Sequence, residues 1–224
     1  MKPENIFLVR HGQSEGNIDK EIYKTKPDYT LKLTDLGKAQ ALRAGEQLKK
    51  LCNDKNVVFY ISPFWRTRQT AENIKKAFEP IKIWNSYEDV RLREQEWGNH
   101  ISVEVSEKNE ELRDAYGSFY WRFPGGESVA DCFDRTSDFF PTLYRDFEKF
   151  NYPRNTVIVT HGMAMRVFLM RWFHMTVEEF ELMANPGNCD FFHLQLQSDG
   201  KYKLLTELKK YDTHTHPYQY RAEE

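Results

Sequence analysis

With 224 residues, 40% of them hydrophobic and 15% aromatic, the chain has the material for a real core in one large domain or two small ones. A formal net charge of −2, from 32 basic and 34 acidic residues, excludes a general electrostatic grip on nucleic acid or an acidic membrane surface, so any basic site must be local. No stretch has the length of a membrane span and the N-terminus lacks a signal-type segment, which makes a cytoplasmic protein the expectation.

Ile6, Phe7, Leu8 and Val9 form an apolar run that stops on Arg10-His11-Gly12, the pattern of a buried strand ending in a tight turn. Thr34 is the expected N-cap of a helix reaching about Cys52. Residues 57–61 read as a second buried strand, closed by Ser62-Pro63, after which a helix carries Arg66, Arg68 and Gln69. Residues 81–84 suggest a short third strand, and residues 98–126 read as irregular, charged and then aromatic. Val129, Cys132, Phe133, Thr136, Phe140, Leu143, Tyr144 and Phe147 recur at helical spacing, predicting a helix over 128–149. Residues 156–160 predict a fourth strand, ending on His161-Gly162 before a helix over 163–173. A hairpin over 190–208, turning at Ser198-Asp199-Gly200, closes the reading, and Cys52, Cys132 and Cys189 are expected as reduced core residues. Alternating strands and helices imply an α/β fold: a three-layer sandwich whose mostly parallel central sheet has helices on both faces.

Two strands thus end in His-Gly, and a third delivers Arg66 from the first turn of the next helix. In a parallel sheet these ends share one edge, where open α/β sheets place their ligands, so Arg10, His11, Arg66 and His161 can converge. Two guanidiniums offer multidentate donors to phosphate oxygens, and the helix start after Gly162 adds backbone N–H groups. One imidazole can attack phosphorus while the other steadies the oxyanions.

Arg10-His11-Gly12-Gln13-Ser14-Glu15-Gly16-Asn17 resembles the signature loop of the histidine phosphatase superfamily, the phosphoglycerate-mutase-like fold. The segments Ser62 to Ala71, Arg91-Leu92-Arg93-Glu94 and Thr160-His161-Gly162 resemble its other motifs, in family order. The resemblance implies that His11 is the nucleophile that becomes phosphohistidine, and that Arg10, Arg66, His161 and Gly162 bind the phosphoryl group with Asn17 close by. Glu94 would protonate the leaving alcohol and then activate water, with no metal and no other cofactor. A charged His161 would help the arginines balance the phosphate, and Glu94 needs a raised pKa to enter protonated.

Phe123-Pro124-Gly125-Gly126-Glu127-Ser128 resembles the corresponding stretch of the family's phosphatase branch, and Gln95 to Asn99 with Ser118 to Phe123 looks most like the broad-range acid phosphatases. That favours a phosphomonoesterase acting on small phosphorylated metabolites. A cofactor-dependent phosphoglycerate mutase is the alternative, and a non-catalytic phospho-ligand-binding regulator is the alternative of another class. The chain is expected to form one domain over 1–224 with a lid-like insertion at about 98–126, as a monomer or a homodimer. Gln13, Ser14, Tyr120 and Arg122 are candidate substrate or lid contacts; the lid aromatics either cover the phosphate pocket or form a satellite core. Gly12-x-Ser14-x-Gly16 also matches a serine-hydrolase elbow, though no periodic helix follows it. His214 and His216 read as part of a solvated tail.

Overall fold

A computed structural model describes residues 2–53, 55–98 and 102–211. The reading of His214 and His216 as a tail, and Asn99 at the end of the phosphatase-like segment, lie outside the described residues.

Three apolar runs, β1 (Asn5–Arg10), β2 (Val57–Ile61) and β4 (Asn155–Thr160), form the centre of a six-stranded sheet because each buries both of its faces. The half-exposed β3 (Ile83–Glu88) lies at one edge, and β5 (Phe191–Leu196) and β6 (Tyr202–Leu204) complete the order β3-β2-β4-β1-β5-β6. The pairs β3–β2, β2–β4 and β4–β1 are parallel, and β5 and β6 add antiparallel to one side. Successive side chains point to opposite faces. Ile6, Leu8, Val58, Tyr60 and Ile158 therefore enter one core, and Phe7, Val9, Val57, Phe59, Val157 and Val159 enter the other.

The first core is covered by α5 (Val129–Phe147), α6 (Gly162–Phe173) and α7 (Val177–Leu182), and the second by α2 (Asp35–Cys52) and α3 (Trp65–Ala77). Helix α5 starts where expected, at a capping box between Ser128 and Asp131, and buries Cys132, Thr136, Phe140 and Leu143 along one stripe. Thr34 caps α2 by accepting from the Gly37 N–H. The three cysteines are free and buried. The α/β sandwich read from the sequence is the fold observed.

Three regions differ from expectation. Residues 98–126 are not irregular throughout: α4 (Val103–Tyr116) is a regular helix capped by Ser102. Among the described side chains of α4 only Asn109 is buried, so there was no apolar stripe to announce it. The third strand begins two residues later than expected and continues to Glu88, because pairing with β2 rather than apolarity defines it. A one-turn helix, α1 (Glu15–Ile18), and two 3-10 turns, Lys20–Lys24 and Asp28–Thr30, follow the first loop, where no periodic helix was expected.

Candidate active site

The register pairs Arg10 with Thr160 and Ile61 with Val159, so His11, Ser62 and His161 leave the sheet side by side at its C-terminal edge. The rings of His11 and His161 stand 5.2 Å apart, nearly edge to face. His11 Nδ1–H donates to the Gly12 carbonyl at 2.8 Å, which leaves Nε2 as the ring's lone-pair atom. Burial, then Arg66 and Arg10, hold the His11 pKa well below the imidazole range, so the ring is neutral. The turn after His11 demands glycine: a Cβ on Gly12 would lie 2.4 Å from the Gly37 carbonyl oxygen, at the start of α2.

His161 Nε2 lies 2.8 Å from Ser62 Oγ, and its Nδ1 is buried without a partner among the described residues. Its pKa is also well below the imidazole range, through burial and then Arg66 and His11. Burial among cations favours the neutral His161 ring, whereas the charge expected of it belongs beside a phosphate, whose negative charge would favour the protonated form. Phe64 packs between His161 and the second arginine, 5.0 Å from the His161 ring and 4.8 Å from Arg66 Cζ.

Arg66 enters from the first turn of α3 and is 4% exposed. It does not stand alone. Its Nη1 and Nη2 donate to the two carboxylate oxygens of Asp28 at 2.7 and 3.0 Å, and Nη1 also reaches the Asp28 carbonyl at 2.8 Å. Arg10 Nη1 donates to the Pro186 carbonyl at 2.5 Å, and its buried Nε has no partner among the described residues.

Glu94 reaches the same place from the segment after β3. Its carboxylate accepts from the N–H groups of Gln95 at 3.0 Å and of Met163 and Ala164 at 3.3 Å each. The start of α6, expected to serve phosphate, thus spends two N–H groups on Glu94. Burial nevertheless raises the Glu94 pKa, against the opposing pull of the Gln95 N–H and Arg66. Arg135 on α5 holds this segment, donating to the carbonyls of Arg91, Arg93 and Glu94 while pairing with Glu127.

Around this centre the expected contacts sort themselves. Asn17 lines a cleft of about 270 Å³ together with Tyr23, Asp28, Trp97 and Arg113, and its Oδ1 accepts from Ser14 and Asn188. Gly162 packs against Asn185. Gln13 bonds to Thr34 and, through its N–H, to Gln40, which ties the loop to α2. Ser14 is buried, caps α1 and donates to Asn17 Oδ1 at 3.2 Å, so it is no exposed elbow nucleophile. Tyr120 is 63% exposed and leans on Phe119, and Arg122 pairs with Asp131; neither lines the clefts beside Glu94 and Asn17. The lid aromatics divide: Phe119 and Phe123 are core, against Phe180 and Trp97, while Tyr116 is exposed.

Sequence reasoning missed Tyr23 and Asp28. Burial raises the Tyr23 pKa to about 12, and Asp28, Arg66, Glu94 and Arg10 all act on it; a Cβ on Gly16 would meet its hydroxyl at 2.3 Å. Both residues lie in or beside 3-10 turns with no periodicity, so no local signal announces them.

A neutral imidazole, two guanidiniums and a buried protonatable carboxyl at one sheet edge can transfer a phosphoryl group. Comparisons with known proteins agree in kind. The chain is 42% identical over 214 residues to phosphoglycerate mutase-like protein AT74 of Arabidopsis thaliana, covering 90% of this chain and 68% of that protein. It is 30% identical over 303 residues to broad-range acid phosphatase DET1 of Saccharomyces cerevisiae, covering 94% and 91%. The fold matches a solved mycobacterial glucosyl-3-phosphoglycerate phosphatase complexed with VO3 at a TM-score of 0.69 and 21% identity, over 92% of this chain and 99% of that one. The model of the histidine phosphatase superfamily (branch 1) matches residues 6–208, and the chain belongs to that superfamily.

Proposed function

We propose that the protein is a phosphomonoesterase that hydrolyses small phosphorylated metabolites through a phosphohistidine on His11. The observation that carries this reading is the meeting of His11, His161, Arg10 and Arg66 with Glu94 at one sheet edge. In the first step His11 Nε2 attacks phosphorus, the P–O ester bond breaks, and Glu94 gives its proton to the departing alkoxide. In the second, water attacks the phosphohistidine, Glu94 takes the water's proton, and the P–N bond breaks to release phosphate. Arg10, Arg66 and His161 would gather the oxygens as charge builds in each transition state. The raised Glu94 pKa supplies the proton for the first step, and the lowered His11 pKa keeps the attacking nitrogen unprotonated.

The cleft at Asn17, Tyr23 and Trp97 is the room for the leaving alcohol, with α4 as its cover, and the whole chain acts as one domain. The name of the yeast relative supports hydrolysis over mutase chemistry. Hydrolysis of p-nitrophenyl phosphate in the presence of EDTA tests the reading: the wild type turns over and His11→Ala does not. Full activity in His11→Ala, or exchange of phosphoglycerate isomers faster than phosphate release, would overturn it.

A further inference from the structure

Arg66 carries five N–H donors in a rigid plane, and three of them are already committed to one residue. Both hydrogens of Nη1 go to Asp28, one to Oδ1 and one to the backbone carbonyl, and one hydrogen of Nη2 goes to Oδ2. This contact takes the far end of the guanidinium. The two donors left, Nε–H and the second hydrogen of Nη2, lie along the adjacent side edge and point in parallel, the spacing that suits two oxygens of one phosphoryl group.

The plane and its rotation are held by different residues. Phe64 stacks 4.8 Å from Arg66 Cζ and sets the plane. Asp28, from a 3-10 turn remote from α3 in sequence, sets the rotation within that plane.

We propose that Asp28 is a positioning residue that selects the side edge of Arg66 for the phosphoryl group by clamping its far end. The proposal rests on the phosphatase reading and extends it to a residue outside the four recognised motifs. Lysine cannot replace this arrangement, since an ammonium has no edge to orient. The contact is also more than a surface ion pair, because the Arg66 side chain is 4% exposed and that of Asp28 is 19% exposed.

A double-mutant cycle read on two quantities tests the idea: the affinity for inorganic phosphate by calorimetry, and kcat/KM for p-nitrophenyl phosphate. Asp28→Asn keeps the shape but turns an NH₂ toward Nη2, and it should weaken phosphate binding and lower kcat/KM by about tenfold each. Asp28→Glu, whose carboxylate still spans both nitrogens, should recover part of the loss. In an Arg66→Lys background the same Asp28→Asn change should alter either quantity by less than about twofold. Unchanged or tighter phosphate binding in Asp28→Asn overturns the proposal, as does an equal loss in both backgrounds. If the wild type binds phosphate without hydrolysing the ester, the hydrolytic reading fails while the affinity cycle still decides the role of Asp28. A wild type that binds no phosphate overturns both.

Discussion

His11 and His161 face each other with 5.2 Å between ring centroids, although 150 residues separate them in the chain. The parallel register of β1 and β4 produces this contact, because Arg10 opposite Thr160 makes the next residue on each strand a neighbour of the other. One ring is anchored through Gly12 and the other through Ser62, so each can serve a separate role on one phosphoryl group.

Replacing Arg66 by lysine keeps a charge but loses the planar fork. We expect kcat/KM for p-nitrophenyl phosphate to fall roughly a hundredfold, the scale of losing one preorganised oxyanion donor. A loss below about threefold would show that charge alone suffices at this position. Steady-state kinetics on the purified variant decide between the two.

Glu94→Gln removes the proton donor while keeping the shape. Esters of poorly acidic alcohols should slow by roughly a hundredfold or more, whereas esters of good leaving groups, which need little protonation, should slow far less. A series of aryl and alkyl phosphates measures this dependence. Equal loss across the series would assign Glu94 to binding.

Arg135 is the hub that fixes Glu94 from behind, through three carbonyls and Glu127. Arg135→Met would leave the mostly buried Glu127 short of its main partner, and should cost about 3 kcal/mol in urea unfolding. The same variant should lower kcat more than KM, since the proton donor loses its anchor. Wild-type stability in the variant would contradict this view of α5.

Stability should depend on pH with a sign set by the imidazoles. Burial and Arg66 hold both His11 and His161 well below their ordinary value of 6.5. Below about pH 6.5 the unfolded chain takes up protons that the folded chain refuses, so stability present above that pH is lost as pH falls. Glu94 works oppositely: its pKa is raised from 4.5, so its contribution is present at low pH and lost as pH rises through the folded value. Two imidazoles outweigh one carboxyl, and the melting temperature should fall between about pH 7 and about pH 5. His11→Asn should make that fall shallower. A steeper fall in the variant would mean that His11 is not held neutral in the fold.

Much of this architecture was legible because its signals are local. The run from Ile6 to Gly12 declares a buried strand and its end, and Thr34 and Ser128 declare helix starts through their own hydroxyls. The family motifs located Arg10, His11, Arg66, Glu94 and His161, which the fold brings to one place. What stayed hidden depends on distant partners. Helix α4 has almost no buried face to impose a period, and β3 owes its extent to β2. Asp28 matters through Arg66, 38 residues away, and nothing in Pro27-Asp28-Tyr29 announces that contact. Arg122, a candidate substrate or lid contact in the sequence, pairs with Asp131, while Arg113 on α4 lines the cleft.

In the proposed mechanism the phosphoryl group rests on His11 between the two half-reactions. Rapid quenching during turnover of a phosphorylated substrate, followed by peptide mass spectrometry under conditions that preserve phosphoramidates, measures this directly. A phosphoryl group is expected on the peptide at His11, lost in His11→Ala and accumulating when Glu94→Gln slows attack by water. A phosphoryl group on Ser14 or His161, or steady turnover with no labelled peptide at all, would contradict it.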